Sequence, residues 1–197
     1  MREETILVYE FDELNEAVKS RLIEKCDLTF CYEDKARLYL EDKENALSSL
    51  FDGVRIEYSG FWCQGDGASF TCKGVNFNKL IKADDIRNNI KHCRKLSDNA
   101  IYNLLSDCLG VIKRHNNRYS HKYSVTPCVE YNGYYRRIGQ LLEGYLENYL
   151  EEYQQDEADR IYQHLEALYY EETSEENRID YLHQFEYFKN GEVYSYV

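Results

Sequence analysis

The chain has 197 residues, a formal net charge of −12 and a hydrophobic fraction of 43%. Such a length and composition are enough for one sizeable core and exclude wholesale disorder. No segment contains the roughly 18 to 20 consecutive apolar residues of a membrane-spanning helix, and the negative charge disfavours a general nucleic-acid binder.

The charge is distributed unevenly along the chain. Residues 1–78 have a net charge of −7, residues 79–123 of +6 and residues 124–197 of −11. The C-terminal part is therefore expected to attract a basic surface on another molecule, whereas the middle part offers one basic element.

Two features predict a protein of a reducing compartment. The seven cysteines are odd in number, and their spacing fits no disulfide framework of a secreted domain. Residues 1–5 are acidic and lack the apolar core of a secretory signal. We therefore expect reduced thiols and a cytoplasmic location.

The N-terminal quarter of the chain predicts a short strand followed by helices. Residues 5–10 are rich in strand-forming residues, and Asp12 would cap the helix that follows. Residues 28–40 fit a strand or a helix equally well, and a helix over 43–52 would end at Gly53.

The next stretch has the pattern of a β-hairpin. Residues 54–58 and 68–75 alternate apolar and polar side chains, as half-buried strands do. Between them lies Gln64-Gly65-Asp66-Gly67, whose glycines would supply the positive φ angles of the turn.

The basic middle of the chain predicts two helices and a strand. One helix would cover residues 77–95, and a second, capped by Ser97, residues 98–114. Residues 117–131 are typical of an extended strand, and Pro127 would place the far end of that strand at a sheet edge or a bulge.

The C-terminal third predicts a long acidic helix. Apolar and tyrosine side chains recur at helical spacing from 135 to about 170, with a break expected near 154–156. Thr173-Ser174-Glu175-Glu176 fits the capping box of a short last helix, and Asn190-Gly191 within residues 185–196 predicts a terminal β-hairpin.

Together these elements predict a single α+β domain over residues 1–197. A small antiparallel sheet would pack against several helices, one of them long and acidic, and the chain would end in a β-hairpin. A subdivision near residue 132 would separate a mixed sheet and helix part, 1–131, from an acidic helical part, 132–197.

Three blocks of the sequence resemble a family of uncharacterised phage and prophage proteins. They are Tyr58-Ser59-Gly60-Phe61-Trp62 running into Gln64-Gly65-Asp66-Gly67-Ala68-Ser69-Phe70, then Arg118-Tyr119-Ser120-His121, and a tail of Ile161-Tyr162 and Leu165-Glu166 before a short acidic helix and the hairpin. Cys63 departs from the family pattern, which has a small polar residue there. The resemblance implies a small α+β protein of phage or mobile-element origin and implies no activity.

The hairpin tip is the first candidate site. Its backbone N–H groups would suit a phosphate, although the Lys and Ser/Thr of a P-loop are missing, and a purely geometric turn is the simpler interpretation. The aromatic and polar residues around the tip favour recognition by stacking and hydrogen bonding. The candidate binding residues are Phe61, Trp62, Gln64, Asp66 and Ser69.

A basic cluster is the second candidate site. Lys113, Arg114, Arg118 and His121 would contact phosphates, or would simply form the solvated end of a helix.

Chemistry beyond binding has weak support in the sequence. There is no Cys-x-x-Cys pair, and we expect no metal, no cofactor and no catalytic residue. A small enzyme built around His121 with Asp66 or Cys63 is the remaining alternative.

The long helix supplies the third candidate site, an acidic partner surface. Its carboxylates either mimic the phosphates of a nucleic acid or act as solubilising charge. The residues are Glu143, Glu147, Glu151, Glu152, Asp156 and Glu157.

These features predict a non-enzymatic phage accessory protein in the cytoplasm of a host bacterial cell. It would bind and inhibit a host protein or nucleoprotein complex with a basic surface, such as a defence nuclease, in the manner of anti-CRISPR or anti-restriction proteins. The alternative is a nucleotide or nucleic-acid binding protein that uses the Trp62, Gln64 and Asp66 hairpin with the 113–121 basic cluster.

Overall fold

The computed structural model describes residues 7–115 and 118–194. In chain order the elements are β1 (Tyr9–Glu10), α1 (Glu16–Lys25), α2 (Thr29–Leu47), β2 (Phe51–Asp52), β3 (Arg55–Ser59), β4 (Gly67–Thr71), β5 (Gly74–Val75), α3 (Phe77–Leu80), α4 (Ala83–Asn89), α5 (Asp98–Ser106), β6 (Cys108–Arg114), β7 (Val125–Tyr131), α6 (Arg136–Glu172), α7 (Glu175–Leu182) and β8 (Glu186–Tyr187). Single 3₁₀ turns lie at Phe11–Glu13, Lys91–Cys93 and Lys122–Ser124.

The predicted α+β class is confirmed, since short antiparallel strands pack against helices. The packing of the chain defines two compact units. The first combines residues 1–37 with 165–197, and the second is residues 38–164. The subdivision predicted near residue 132 falls inside the second unit. No helix in the described residues is long and apolar enough to cross a membrane.

The sheet of the second unit consists of two hairpins joined edge to edge. The predicted hairpin is confirmed: β3 and β4 pair antiparallel, with Ile56 opposite Phe70. Its second arm is shorter than the predicted 68–75, because β4 ends at Thr71 and Gly74–Val75 pair with β2. β6 and β7 form the second hairpin along their whole length. Cys72 and Ile112 join the two hairpins by hydrogen bonds of 3.1 and 3.2 Å between their backbones. This single bridge lies just beyond the end of β4 and places the two hairpins side by side.

The two faces of this sheet differ in burial. Ile56, Phe70, Cys72 and Ile112 on one face are buried, as period-2 alternation requires. The ring of Phe51 lies 5.4 Å from Phe70 in an edge contact, which extends the core to β2. Three leucines at four-residue spacing along α6 are fully buried, namely Leu142, Leu146 and Leu150. The opposite sheet face remains partly open.

The first unit has a small core of its own. Phe11, Leu14, Leu182 and Tyr187 are buried there and surrounded by partly buried side chains of α1 and α7. β8 pairs with β1 through Tyr9 opposite Tyr187, which confirms the C-terminal hairpin region as a sheet element.

Several predicted boundaries in the N-terminal half are wrong. Asn15 caps α1 in place of Asp12, because the Asn15 Oδ1 atom accepts a hydrogen bond of 3.0 Å from Val18 N. The ambiguous residues 28–40 lie mostly in α2. The helix predicted over 43–52 ends at Leu47, because Phe51 and Asp52 pair with β5 instead.

The basic middle contains shorter helices than predicted. The single helix over 77–95 is wrong: extended residues separate α3, α4 and a 3₁₀ turn. The helix over 98–114 is correct only to Ser106, beyond which burial alternates along β6. In the stretch 117–131 only β7 is a strand, and residues 116 and 117 lie outside the described residues.

The C-terminal third follows the prediction more closely. α6 is one continuous helix, so the break expected near 154–156 is wrong. The N-cap of α7 is Ser174, whose Oγ accepts from Asn177 N at 3.3 Å. The terminal turn closes with Phe188 N donating to Glu192 O at 2.8 Å, and Gly191 takes the positive φ of 85°. Residues 5, 6, 195 and 196 of the predicted strands are outside the described part.

Candidate functional site

Asp66 holds the tip of the first hairpin. Its Oδ2 accepts hydrogen bonds from Cys63 N at 2.7 Å and from Trp62 N at 2.9 Å. The bond from Cys63, with smaller contributions from Trp62 and the Ser59 hydroxyl, lowers the pKa of the Asp66 carboxyl. The carboxylate that was predicted to bind a ligand therefore has a structural task in the turn.

The aromatic residues of the tip divide into an anchor and an exposed platform. Phe61 packs against Tyr162 of α6, with ring centroids 5.5 Å apart. The Tyr162 hydroxyl donates to Gly60 O at 3.1 Å. Trp62 is 67% exposed, and Gln64 is exposed beside it. The anchor fixes the tip, and the platform faces solvent.

Arg114 and Ser69 lie inside the molecule, contrary to their predicted roles as contact residues. Arg114 Nη1 donates to Tyr119 O at 2.7 Å and to Ser124 Oγ at 3.0 Å. Its Nη2 donates to Ser69 Oγ at 2.9 Å and pairs with Glu57 at 3.1 Å. Ser69 is fully buried. A rigid guanidinium fork suits this multiple bonding, and it fixes the 118–124 loop to the hairpin.

The hairpin glycines allow the 118–124 loop to approach closely. A Cβ atom on Gly65 would overlap the ring of Tyr119, and one on Gly67 would lie 2.7 Å from the Cα of His121. The prediction that positive φ explains these glycines is wrong for Gly65, whose φ is negative. Space for the loop is the physical reason for a glycine at that position.

The 118–124 loop presents a row of aromatic and basic side chains. The rings of Tyr119 and His121 stack with centroids 5.6 Å apart, and Arg118 lies 5.3 Å from the Tyr119 ring. His121 Nδ1 accepts from Tyr123 N at 3.1 Å, which caps the 3₁₀ turn. Tyr123 itself is 61% exposed.

Lys122 connects this loop to the long helix. Its Nζ lies 2.6 Å from Asp159 Oδ2, and that hydrogen bond raises the pKa of Lys122. Lys122 also lies 5.4 Å from the centre of the Tyr123 ring. The ammonium group is thus held at a fixed position beside an aromatic face.

Hairpin tip, loop and helix together enclose a cleft of about 310 Å³. Its walls are Gln64, Asp66, Gly67, Ala68, His121, Lys122, Tyr123, Asp159 and Tyr162. The cleft brings together one part of each predicted site, Gln64 and Asp66 of the hairpin and His121 of the basic cluster. The other predicted residues of the two sites do not line it, namely Phe61, Trp62, Ser69, Lys113, Arg114 and Arg118. Sequence reasoning missed Lys122, Tyr123, Asp159 and Tyr162; the first two adjoin the predicted basic cluster, whereas no local signal marks Asp159.

The cleft has binding groups but no polarised nucleophile. His121 Nδ1 and Asp66 Oδ2 are both engaged by backbone N–H groups. Cys63 is exposed at the tip, and no hydrogen bond joins it to His121 in the described structure. Between residues 7 and 194, apart from 116 and 117, no three His, Cys, Asp or Glu side chains are grouped to hold a metal ion.

Two carboxylates of the long helix accept hydrogen bonds from backbone N–H groups at the free edge of β7. Glu143 Oε1 accepts from Tyr131 N at 2.8 Å, and Glu147 Oε1 accepts from Val129 N at 3.0 Å. Glu143 and Glu147 are four residues apart on the helix, a rise of about 6 Å, and Val129 and Tyr131 are two residues apart on the strand, a rise of about 6.8 Å. The carboxylates are therefore spaced like the N–H groups that they accept from. Pro127, next in this outward-facing series, has no N–H to satisfy. The prediction of an edge position for Pro127 is confirmed, since β7 pairs only with β6 among the described strands.

The predicted acidic surface is therefore smaller than the sequence indicates. Glu157 is buried and pairs with Lys43 at 2.7 Å and Arg160 at 3.2 Å. Glu143 and Glu147 accept hydrogen bonds from β7, so three of the six predicted carboxylates interact with residues of the same unit. Glu151, Glu152 and Asp156 are exposed and form no ion pair with a described residue.

A comparison with protein families matches residues 30–175 to a domain of unknown function, DUF8835. The chain belongs to this family. The matched range contains every residue of the cleft and the whole of the long helix. Searches of curated proteins and of solved structures return no match.

Proposed function

We propose that this chain is a non-enzymatic binding protein that takes a nucleotide base, free or in a single strand, into the cleft. The observation that carries the proposal is the convergence of the hairpin tip and the 118–124 loop on one cavity of about 310 Å³. That volume lies at the lower end of the range for small-molecule sites and accommodates a group the size of a nucleoside.

The side chains around the cleft suit the parts of a nucleotide. Tyr123, which lines the cleft, and Trp62, which lies on the hairpin tip outside the lining, are exposed aromatic rings on which a base would stack. The Gln64 amide provides a donor and an acceptor for a base edge. Arg118 of the predicted basic cluster would supply positive charge for a phosphate, and Lys122, which is paired with Asp159, would donate a hydrogen bond.

Titration of the protein with labelled oligothymidylate, followed by fluorescence anisotropy, tests the proposal. Trp62→Ala is expected to weaken binding about 5- to 150-fold, because base stacking contributes about 1–3 kcal/mol. Tyr134→Ala is the matched control, since Tyr134 is an aromatic residue of the same unit, 91% exposed, and belongs to neither the hairpin tip nor the 118–124 loop. Equal affinities of the two variants, or no binding of oligothymidylate and mononucleotides at millimolar concentration, would refute the proposal.

A second candidate is the anti-defence inhibitor of phage origin that the sequence predicts. The exposed carboxylates Glu151, Glu152 and Asp156, which follow one another within six residues of α6, favour it. They would bind the basic surface of a host nuclease complex in the bacterial cytoplasm. Its test is capture of purified defence nucleases at low and high salt. Loss of capture in Glu151→Gln/Glu152→Gln/Asp156→Gln, with capture retained in Trp62→Ala, would support the inhibitor over the nucleotide binder.

A further inference from the structure

The open face of the sheet in the second unit carries a wide groove. It has a volume of about 1010 Å³ and is separate from the cleft in its lining. Its walls are Gly53, Val54, Arg55, Glu57, Thr71, Cys72, Lys73, Val111, Ile112, Lys113 and Arg114. At one end of the groove Glu57 and Arg114 form an ion pair, with 3.1 Å between Glu57 Oε2 and Arg114 Nη2, so their charges neutralise each other.

Three further cations of the groove have no acidic partner in the described part of the chain. Arg55, Lys73 and Lys113 are exposed, and none of them forms an ion pair or a side-chain hydrogen bond with a described residue. Unpaired cations concentrated in one groove are notable in a chain with a net charge of −12. A groove lined by one sign of charge focuses the field and attracts ions of the opposite sign.

The strand register places the donors in a line across the sheet. Arg55 of β3 is opposite Thr71 of β4, and the Cys72–Ile112 bridge brings Thr71 beside Lys113 of β6. Lys113 is in turn opposite Thr126 of β7. Cross-strand neighbours share a face, so the Arg55 guanidinium, the Thr71 hydroxyl and the Lys113 ammonium follow one another at about 4.8 Å per strand. Thr126 lies outside the groove lining, and its hydroxyl is 2.9 Å from His115 Nδ1.

We infer that this groove binds the sugar–phosphate backbone of a single-stranded nucleic acid. The inference rests on the proposed function for the identity of the ligand and names its class: a polymer rather than a free nucleotide. Arg55 and Lys113, about 10 Å apart across two strand spacings, contact separate phosphates. Arg114 links groove and cleft, since it lines the groove and bonds to Tyr119 O in the loop that supplies His121 to the cleft.

A single strand fits this arrangement better than a duplex. Exposed aromatic rings at Trp62 and Tyr123 require unpaired bases for stacking, and those of a duplex are already stacked on each other. A positively charged groove beside aromatic platforms is the usual construction of a site that follows a single strand.

Two probes separate the groove from the cleft. An abasic deoxyribose-phosphate 12-mer reports on the groove alone, because it has no base to stack. Thymidine monophosphate reports on the cleft alone, because it is too short to follow the sheet. Binding of both is measured for the intact chain from 50 to 300 mM salt by anisotropy and calorimetry.

The variant Arg55→Ala/Lys73→Ala/Lys113→Ala is expected to lower the slope of log affinity against log salt by about 2 for the abasic strand. Thymidine monophosphate should bind this variant as it binds the wild type. The control, Lys91→Ala/Arg94→Ala/Lys95→Ala, removes three exposed cations of the same unit outside the groove and changes net charge equally. Urea unfolding confirms that both variants are folded.

The possible failures are distinguishable. The groove inference is overturned if the groove variant binds the abasic strand with the affinity and salt slope of the wild type. It is also overturned if the control triple variant loses as much affinity for that strand as the groove variant does. Both outcomes hold regardless of how tightly thymidine monophosphate binds. If thymidine monophosphate binds but the groove variant is unchanged with every strand, the proposed function survives and the inference fails. If the groove variant alone loses the abasic strand while Trp62→Ala affects neither probe, the groove stands and the cleft function fails.

Discussion

The aromatic ring of Tyr119 occupies the space in which a side chain of Gly65 would lie. This contact joins the hairpin tip around Gly65 to the 118–124 loop, which is distant in the chain, and the cleft forms between the two. The contact leaves no room for even a methyl group at position 65.

Gly65→Ala is therefore expected to lower the free energy of unfolding by about 1–3 kcal/mol, the usual cost of overpacking a close contact. The added methyl group displaces Tyr119 and with it the loop that supplies His121 and Lys122 to the cleft. Urea unfolding measures the stability, and anisotropy with oligothymidylate measures the accompanying loss of affinity.

Gly144→Ala is the matched control for this substitution. Gly144 lies in the exposed middle of α6, and a Cβ there meets nothing within 4 Å. Alanine should therefore stabilise the helix by about 0.5–1 kcal/mol. If Gly65→Ala has the same stabilising effect, the close contact with Tyr119 does not exist in solution.

Protonation of the Asp66 carboxylate at low pH is expected to loosen the hairpin tip locally. Hydrogen bonds from Cys63 N and Trp62 N hold its pKa below the ordinary value of about 3.9. A lowered native pKa contributes stability that is present above the unfolded value and is lost as the pH falls through the native value. The tip should thus stay ordered at pH 4 and loosen at lower pH.

Trp62 makes this transition observable, because it is the only tryptophan of the chain. Its fluorescence should change with a midpoint below pH 3.9, and Asp66→Asn should remove the change and alter the spectrum already at pH 7. A midpoint at or above pH 4 in the wild type, or an unaltered curve in Asp66→Asn, would contradict the assigned role of the carboxylate.

The carboxylates of α6 are expected to differ sharply in their contribution to stability. Glu143→Ala or Glu147→Ala leaves the N–H of Tyr131 or Val129 without its acceptor, which costs about 1–3 kcal/mol. Glu152→Ala removes an exposed carboxylate that forms no ion pair with any residue between 7 and 115 or 118 and 194, and it should change the free energy of unfolding by less than about 0.5 kcal/mol.

Urea denaturation of the three single variants measures this contrast. Glu143→Gln provides a further control, since its amide oxygen can still accept from Tyr131 N and should restore most of the loss. Equal effects at positions 143, 147 and 152 would mean that the helix carries only solubilising charge.

Local patterns were sufficient to predict the first hairpin and the long helix. Alternation over residues 54–58 and 68–75 and the glycines between them identify strands and turn without reference to the rest of the chain. In α6 the apolar spacing continues through residues 154–156, and Gln154 is buried there, so no break occurs.

The residues of β6, which the sequence pattern assigns to a helix, show that local patterns are not sufficient to predict every element. Val111 and Ile112 continue the helical spacing of α5, yet Gly110 and the β-branched pair also suit a strand. Pairing with β7 decides between the two, and that partner lies beyond a loop. Tertiary pairing overrides local preference in such a segment.

The candidate site was predicted in parts but not as a whole. Hairpin residues Trp62 and Gln64 and loop residue His121 carried recognisable signals, whereas their meeting depends on the Gly65 contact and on Arg114. Glu143 and Glu147 have the same sequence pattern as exposed carboxylates, so only the position of β7 reveals their role.

The thiols provide a last prediction, which concerns reactivity. Burial raises the pKa of Cys72 to about 11 and that of Cys108 to about 12, so at pH 8 about one in a thousand or fewer of these groups is ionised. Cys63 and Cys128 are exposed. Iodoacetamide at pH 8 should therefore modify Cys63 and Cys128 first, as peptide mass spectrometry of brief reactions would show. Cys63→Ser should remove one of the fast sites and leave Cys128 unchanged, and modification of Cys72 or Cys108 at the rate of Cys63 would show that the sheet opens in solution.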